Sequence, residues 1–269
     1  MTSAENLEHI APTLLRYNIA PGVTAFSTTR KGGVSKGSYA EFNINHYCGD
    51  DEKDIAANHA SLCRLLGIDG AHLVYPHQVH GTEIRKIDAA WLSLPKSEQA
   101  QLLEGVDAVM TNMAGICVGV STADCIPVLL YDAAHHACAA IHAGWRGTAA
   151  RMAENAVRAM ATAYGTLPVQ IMAVIGPGIS LENFEVGDEV YETFENAGFD
   201  MKRIARRYTK WHIDLWEANR LSLMKMGIPA GAIHTSGICT YAQADRFFSA
   251  RRLGINSGRI LTGIMLDER

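Results

Sequence analysis

The sequence predicts a mixed α/β (α+β) fold, built as a single domain with mixed sheets over residues 1–269. Of the 269 residues, 48% are apolar and 19% are charged, which is ordinary for a globular chain that can bury a sizeable core. Strand-like apolar runs mix with helical spacings without strict βαβ alternation. No internal repeat, low-complexity segment or Pro/Gly/Ser-rich linker divides the chain, which favours one domain.

Helices are predicted where apolar residues recur every three to four positions. The clearest covers residues 51–68, where Ile55, Leu62 and Leu66 share a face and Gly67 ends the pattern. Another is predicted over residues 147–165, and two more near residues 187–197 and 214–226. Strands are predicted for apolar runs bounded by turn residues: 22–30, 107–111, 116–122, 126–132, 137–144, 169–178 and 258–266.

Charge and cysteine content narrow the class of protein. The 24 Lys and Arg against 28 Asp and Glu give a net charge of −4, which argues against nucleic-acid and membrane-surface partners. No stretch approaches the ~20 apolar residues of a membrane span, and the N-terminal residues lack the apolar region of a signal peptide. The six cysteines include no Cys-x-x-Cys pair, so we expect reduced thiols in a cytoplasmic protein.

The segment CIPVLLYDAAHHACAAIH predicts a β-hairpin that carries a potential metal ligand at each end. A two-residue loop at Ala133 and Ala134 would place Cys125 directly opposite His142, with Cβ atoms ~5 Å apart. A four-residue loop would make the two residues diagonal neighbours, ~7–8 Å apart. Either register lets a thiolate and an imidazole reach one zinc ion. The alternative is a small buried cysteine and a buried, hydrogen-bonded histidine.

A third ligand is expected from the segment YPHQVHG. Positions three apart in an extended segment point to opposite faces, so His77 and His80 should not both bind one metal. His80 precedes the break at Gly81 and is the better strand-end candidate, although periodicity alone does not choose between them. One of these histidines together with Cys125 and His142 would leave a fourth position for water, which is the arrangement of catalytic zinc.

Three side chains near these ligands are candidates for catalysis. Asp124, in the motif TADC, could accept a hydrogen bond from a ligand histidine or transfer a proton. His77 is a second candidate for proton transfer. Cys125 is itself a candidate nucleophile, because a thiolate across a hairpin from an imidazole forms an activated pair.

Two elements could bind an anion. Arg30 lies in the glycine-rich stretch TRKGGVSKG, where backbone N–H groups can approach a negative charge. Arg146, in GWRGT, lies just before a predicted helix whose N-terminus favours anions. Neither element matches the P-loop or the G-x-G-x-x-G pattern, so the sequence carries no signature of a nucleoside triphosphate or dinucleotide site.

The motifs resemble those of a known family. In chain order they are STTRKGGVS, FNIN, QVHG, TADCIPVLL, HAGWRG, IGPGI, FEVGDEV, ICT, FFSARR and GR. They resemble the YfiH-like family, also called the laccase-domain or polyphenol-oxidase-type family, over nearly the whole chain. ADC and HAGWRG together are highly specific. The resemblance implies a bacterial cytoplasmic protein with four α/β/β/α layers and zinc bound by His80, Cys125 and His142.

The resemblance also implies an activity. Members cleave the purine nucleosides adenosine, inosine and methylthioadenosine with phosphate, giving the free base and ribose 1-phosphate, and they deaminate adenosine. The expected partners are therefore a purine nucleoside and phosphate, with the chain acting as a monomer or small homo-oligomer. Arg30 and Arg146 would bind phosphate, and Asn43 would contact ribose or base. Other members are described as polyphenol oxidases or as peptidoglycan-editing factors that act on UDP-muropeptides.

Three other functions compete with nucleoside phosphorolysis. One cysteine and two histidines also suit copper, but multicopper oxidation needs many histidines, usually in His-x-His pairs, and the 11 histidines here include none. A hydrolase that edits cell-wall precursors would use the same zinc, or Cys125 as nucleophile. A non-enzymatic zinc module is disfavoured, because structural zinc is usually closed by four protein ligands.

Overall fold

The computed structural model describes residues 11–268, so the first ten residues, on which most of the signal-peptide expectation rests, lie outside it. The helices are α1 (Glu52–Leu66), α2 (Ala89–Leu92), α3 (Lys96–Leu102), α4 (Trp145–Ala149), α5 (Met152–Tyr164), α6 (Asp188–Asn196), α7 (Met201–Ile204), α8 (Leu215–Lys225) and α9 (Ala250–Leu253). The strands are β1 (Leu14–Tyr17), β2 (Val23–Thr28), β3 (Leu73–Val74), β4 (Ile84–Lys86), β5 (Ala108–Thr111), β6 (Cys117–Thr122), β7 (Ile126–Asp132), β8 (Ala137–Ala143), β9 (Ile171–Ile175), β10 (Glu185–Val186), β11 (Ala205–Arg207), β12 (Trp211–Ile213), β13 (Ile233–Thr235) and β14 (Ile260–Leu266).

Two stacked mixed sheets form the centre of the molecule. One has the strand order β13-β9-β7-β8-β5-β4 and the other β1-β2-β14-β6-β3. Alternate residues of both sheets share one core, in which Val118 and Ile264 from the five-stranded sheet meet Leu129 and Ala140 from the six-stranded sheet. Helices α5 and α8 cover the outer face of the six-stranded sheet, and α1 covers the outer face of the other. These four α/β/β/α layers confirm the predicted fold class.

The hairpin of β7 and β8 has the longer of the two loops considered from the sequence. Asp132 pairs with Ala137 and Ile126 pairs with Ala143, so four residues form the loop. His142 therefore lies opposite Pro127, and Cys125 is its diagonal neighbour. Every residue of both strands is buried, because one face packs on the other sheet and the opposite face packs on helices.

Helix α1 begins and ends as its sequence predicts. The Asp51 side chain accepts hydrogen bonds from the backbone N–H groups of Lys53 and Asp54, which satisfies donors that have no partner within the helix. Gly67 ends the helix in a left-handed conformation, with φ of 70°, which a glycine adopts without steric cost.

The single helix predicted over residues 147–165 is wrong, because the chain forms α4 and α5 with a break between them. Arg151 occupies the break in a left-handed conformation, with φ of 63°. Its guanidinium lies 3.6 Å from the ring centroid of Phe199 and donates a hydrogen bond to the carbonyl oxygen of Ala197. These contacts offset part of the conformational cost of a left-handed arginine.

The sequence analysis did not predict β1, the small sheet of β10, β12 and β11, or the shortest helices. These segments have too few residues to show a hydrophobic period. No helix in residues 11–268 has the length and hydrophobicity that crossing a bilayer requires.

Candidate active site

Three side chains that are distant in the chain converge on one point. The ligand atoms of His80, Cys125 and His142 all lie within 4.8 Å of one another. The Cys125 Sγ is 3.7 Å from the His80 Nε2, and the two imidazole rings meet edge to face with centroids 4.8 Å apart. His77 does not belong to this cluster. The structure therefore brings together the three residues that the sequence analysis expects as metal ligands.

The ends of the central hairpin supply two of these residues. Cys125 directly precedes β7, and His142 is the penultimate residue of β8. His80 comes from an irregular segment and has a left-handed backbone, with φ of 63°. The Gln78 side chain exchanges hydrogen bonds of 2.7 and 2.8 Å with the backbone N–H and C=O of Ser121, which anchors that segment to the end of β6.

Asp107 supports the cluster, and the sequence analysis missed it. Its fully buried carboxylate is 2.7 Å from the Nδ1 of His142 and accepts the backbone N–H groups of His80 and Gly81 at 3.0 and 2.7 Å. A carboxylate on Nδ1 fixes the ring orientation and leaves Nε2 free to bind a metal. The only sequence signal is an acidic residue directly before the buried strand β5, which pairs with β8.

Gly144 leaves room for the three converging side chains. A Cβ atom at this position would lie 2.9 Å from both the Cys125 Sγ and the His80 Cδ2. Real Cβ atoms essentially never approach other heavy atoms so closely, so a larger residue would displace Cys125 or His80. The glycine after the histidine in HAGWRG is thus required by close packing around the cluster, in addition to its place at the bend before α4.

Charge couples Cys125 to His142. Burial alone would raise the pKa of the Cys125 thiol, but the adjacent His142 imidazolium and hydrogen bonds from both histidines lower that pKa to about 6. Burial would lower the pKa of His142, whereas the Cys125 thiolate and the Asp107 carboxylate raise it to about 9. Between these two pKa values the pair favours a thiolate facing an imidazolium. A deprotonated thiol is also the form in which cysteine binds metals.

The cluster lies in the wall of a pocket of about 600 Å³. Of the other residues predicted from the sequence, His77 and Asp124 also line this pocket. Arg30, Asn43 and Arg146 are not among its lining residues, whereas the late arginines Arg251 and Arg259 are. The positive charge of the pocket therefore comes from the segment after α8 and not from the glycine-rich loop near the N-terminus.

Asp124 holds loops together. Its carboxylate accepts 2.7 Å hydrogen bonds from the Thr240 hydroxyl and from the backbone N–H of Arg251. Its carbonyl oxygen accepts the backbone N–H of Ile179, and its own backbone is left-handed, with φ of 86°. Asp107, and not Asp124, contacts the Nδ1 of His142, and the Asp124 carboxylate bonds instead to Thr240 and Arg251.

The hydrogen bonds of Arg30 and Asn43 belong to the scaffold. Arg30 donates 2.7 Å hydrogen bonds to the carbonyl oxygens of Ala40 and Ala244. The fully buried Asn43 donates to the Asp50 carboxylate and accepts the backbone N–H of Arg259. These bonds satisfy the polar groups of irregular loops, as burial requires.

Arg146 and His77 each contact an aromatic ring that lines the pocket. The exposed guanidinium of Arg146 lies 4.3 Å from the ring centroid of Trp145. His77 stacks on Tyr47 with ring centroids 3.9 Å apart, and its Nδ1 is 2.6 Å from a carboxylate oxygen of Glu104.

Nearly the whole chain is similar in sequence and in structure to known proteins. A family model described as multi-copper polyphenol oxidoreductase laccase matches residues 24–267. A purine nucleoside phosphorylase from Bacteroides thetaiotaomicron is 48% identical over 249 residues, which cover 91% of this chain and 92% of that protein. The adenosine deaminase RL5 from an unknown prokaryotic organism is 44% identical, with 90% of this chain and 94% of that protein covered. The crystal structure of the hypothetical protein YfiH from Bacillus licheniformis superimposes with a TM-score of 0.89 and 30% identity, covering 96% of this chain and 97% of that one.

Proposed function

The chain belongs to the YfiH-like, laccase-domain family, and we propose that it is a zinc-dependent purine nucleoside phosphorylase that also deaminates adenosine. The names of its relatives support this kind of enzyme. The observation that carries the proposal is the convergence of His80, Cys125 and His142 in the wall of one pocket. Its substrates would be a purine nucleoside with phosphate or, for deamination, with water.

The residues of the cluster fit a zinc ion. One thiolate and two imidazoles are donors that zinc prefers, and three protein ligands are typical of catalytic sites. The lowered pKa of Cys125 and the Asp107 contact at His142 Nδ1 prepare both side chains for binding. When bound, the metal ion would supply Lewis acidity, which polarises a substrate oxygen or activates water.

Arg251 and Arg259 are the proposed anion-binding residues. Phosphorolysis joins a phosphate oxygen to C1′ of ribose as the bond from C1′ to the base nitrogen breaks, so phosphate must be held near the sugar. The Arg259 guanidinium donates to the carbonyl oxygens of Ile255, Ser257 and Gly258, which fixes its position. The exposed Arg251 is held through its backbone N–H by Asp124. Guanidinium groups keep their charge at any working pH and match phosphate geometry.

His77 is the proposed group for proton transfer. The base that leaves in phosphorolysis takes up a proton, and deamination exchanges the amino group at C6 for a water oxygen and releases ammonia. His77 lines the pocket, and its contact with Glu104 at Nδ1 leaves Nε2 for proton exchange. Asp124 then acts by holding the Arg251 segment at the pocket.

A product assay tests the proposal. Purified protein is incubated with adenosine, with and without phosphate, and the products are separated by chromatography. We expect adenine and ribose 1-phosphate only when phosphate is present, and ammonia in both cases. The inosine formed by deamination should accumulate without phosphate and should be cleaved further to hypoxanthine when phosphate is present. The absence of all these products at high enzyme concentration would refute the proposal.

A copper oxidase is the second candidate, because one thiolate and two imidazoles also suit copper and the family description names that metal. Within residues 11–268, His80, Cys125 and His142 form the one cluster of three or more His, Cys, Asp or Glu side chains that could hold a metal ion. Multicopper oxidation requires more ligands than this cluster offers. Metal analysis of protein purified without added copper, together with an assay of phenol oxidation, separates the two functions.

A further inference from the structure

We propose that Tyr47 is the stacking platform for the nucleobase in this pocket. The inference rests on the proposed function, because it assigns the purine part of that substrate to a particular side chain. Tyr47 lines the same pocket as His80 and Cys125, and it is 50% exposed. Large apolar side chains left exposed at the wall of a pocket commonly mark a ligand-binding surface.

His77 holds the Tyr47 ring in place by stacking. His77 stacks on one face with an interplanar angle of 14°, and Glu104 in turn holds His77 at 2.6 Å. The backbone N–H of Tyr47 donates a 2.8 Å hydrogen bond to the Asn45 side chain, which fixes the turn that carries the ring. With His77 on one face, the base is proposed to stack on the opposite face. A ring fixed before binding loses little conformational entropy when a ligand stacks on it.

The other aromatic side chains of the pocket are less suited to this role. Phe184 is 8% exposed and has the Arg251 guanidinium 5.5 Å from its ring centroid. Trp145 is half-buried and already carries the Arg146 guanidinium at 4.3 Å. Tyr47 is therefore the pocket aromatic whose ring has the most area available to a ligand.

A second exposed apolar side chain lies on a segment bonded to the Tyr47 loop. Ile255 lines the pocket and is 71% exposed. Arg259 donates a hydrogen bond to the Ile255 carbonyl oxygen, and its backbone N–H donates to the Asn43 side chain. Both bonds are 3.0 Å long and connect the two segments. The flat faces of a purine would bury apolar surface against both side chains.

Stacking determines which substitutions should matter. The interaction uses the π face of the ring and not the hydroxyl group, so Tyr47→Phe should preserve it, Tyr47→Trp should preserve or strengthen it, and Tyr47→Leu should lose it. Tyr208→Leu is the matched control. Tyr208 is 62% exposed, contacts His212 edge to face, and does not line the pocket.

Two measurements test the platform. The first is kcat and KM for adenosine at saturating phosphate. The second is the Kd, by calorimetry without phosphate, for inosine, which has no amino group to lose and is not cleaved when phosphate is absent. For Tyr47→Leu we expect both KM and Kd to rise by about fivefold to about hundredfold. A change in kcat would report on His77, which loses its stacking partner but keeps its contact with Glu104. Tyr47→Phe, Tyr47→Trp and Tyr208→Leu should bind at least about as tightly as the parent chain.

The outcomes separate this inference from the proposed function. If the parent chain turns over adenosine and Tyr47→Leu retains its KM and Kd, the platform is wrong and the function stands. If the parent chain neither binds inosine nor converts adenosine, the function and the platform both fail. If Tyr47→Leu does not fold, Tyr47→Trp decides, because weaker inosine binding by this folded, larger aromatic variant would overturn the platform.

Discussion

Asp107 and His142 form a buried pair in which the carboxylate oxygen lies 2.7 Å from the ring Nδ1. The same carboxylate accepts the backbone N–H groups of His80 and Gly81. The Asp107 side chain therefore fixes the ring of His142 on β8 and the backbone of His80 outside the sheet. The cluster depends on Asp107 for its geometry, although Asp107 is not itself one of the three ligands.

Replacing Asp107 by Asn should lower zinc affinity by about 10- to 100-fold, the usual effect of removing such an outer partner. The amide NH₂ would face backbone N–H donors, and each buried donor left unpaired costs about 1–3 kcal/mol. Competition with a chromophoric chelator measures the affinity. Asp69→Asn is the control, because Asp69 is an exposed carboxylate that also accepts a backbone N–H. Equal zinc affinity in Asp107→Asn and the parent chain would contradict the assignment.

Gly144→Ala should abolish tight metal binding while leaving the fold largely intact. The new Cβ would lie 2.9 Å from both Cys125 Sγ and His80 Cδ2, so at least one ligand must shift. Metal content after dialysis against limiting zinc provides the measurement. Gly231→Ala is the matched control, because a Cβ there meets nothing within 4 Å. If both variants retain a full complement of zinc, the ligands do not require the space beside Gly144.

The thiol of Cys125 should be unusually reactive in metal-free protein. Its pKa is lowered to about 6, so it should be mostly thiolate at pH 7 and lose reactivity as the pH falls through about 6. Burial raises the pKa values of Cys48 and Cys63, so those thiols should remain protonated at pH 7. Alkylation by iodoacetamide, followed by mass spectrometry of each cysteine peptide, measures the profile.

His142→Gln should shift that alkylation profile to higher pH. The substitution removes the imidazolium that lowers the Cys125 pKa and leaves the opposing effect of burial. The profiles of the other cysteines should not change. A parent-chain midpoint near the ordinary thiol pKa, unchanged in His142→Gln, would show that the ion pair does not form.

Arg251→Met should raise the KM for phosphate by about tenfold or more, since the loss of a charge-assisted contact typically costs at least 1.4 kcal/mol. The KM for the nucleoside should change little. Arg146→Met is the comparison variant. The sequence analysis expects Arg146 to bind phosphate, but Arg146 does not line the pocket. A larger phosphate effect in Arg146→Met than in Arg251→Met would favour the sequence-based assignment.

The fold class and two of the three candidate ligands could be predicted from local sequence patterns. Fully buried strands appear as continuous apolar runs, and the positions of Cys125 and His142 follow from the hairpin between them. His80 was separated from His77 by resemblance and not by periodicity, because a left-handed residue in an irregular segment has no period. The continuous helix over residues 147–165 failed for the same reason, since nothing in the spacing marks Arg151 as a left-handed residue.

Polar residues of loops were the hardest to assign. Asp107 and Asp124 each accept hydrogen bonds from segments far away in the chain. The residues next to each aspartate in the sequence do not indicate such partners. Arg30 and Asn43 occur in conspicuous motifs, but their hydrogen bonds satisfy the backbone and side chains of neighbouring loops. A motif that stands out in a sequence can therefore arise because an irregular backbone needs hydrogen-bond partners, as well as because its residues contact a ligand.

Strand β14 lies in the middle of the five-stranded sheet, between β2 and β6. Its pairing with β2 joins residues such as Ser27 and Thr262, which are 235 positions apart. During synthesis, β2 leaves the ribosome long before its partner exists, and the apolar surface between the sheets stays incomplete until residue 266 emerges. A nascent chain stalled before that point would present unpaired strand edges, which are the surfaces that chaperones protect and that drive aggregation.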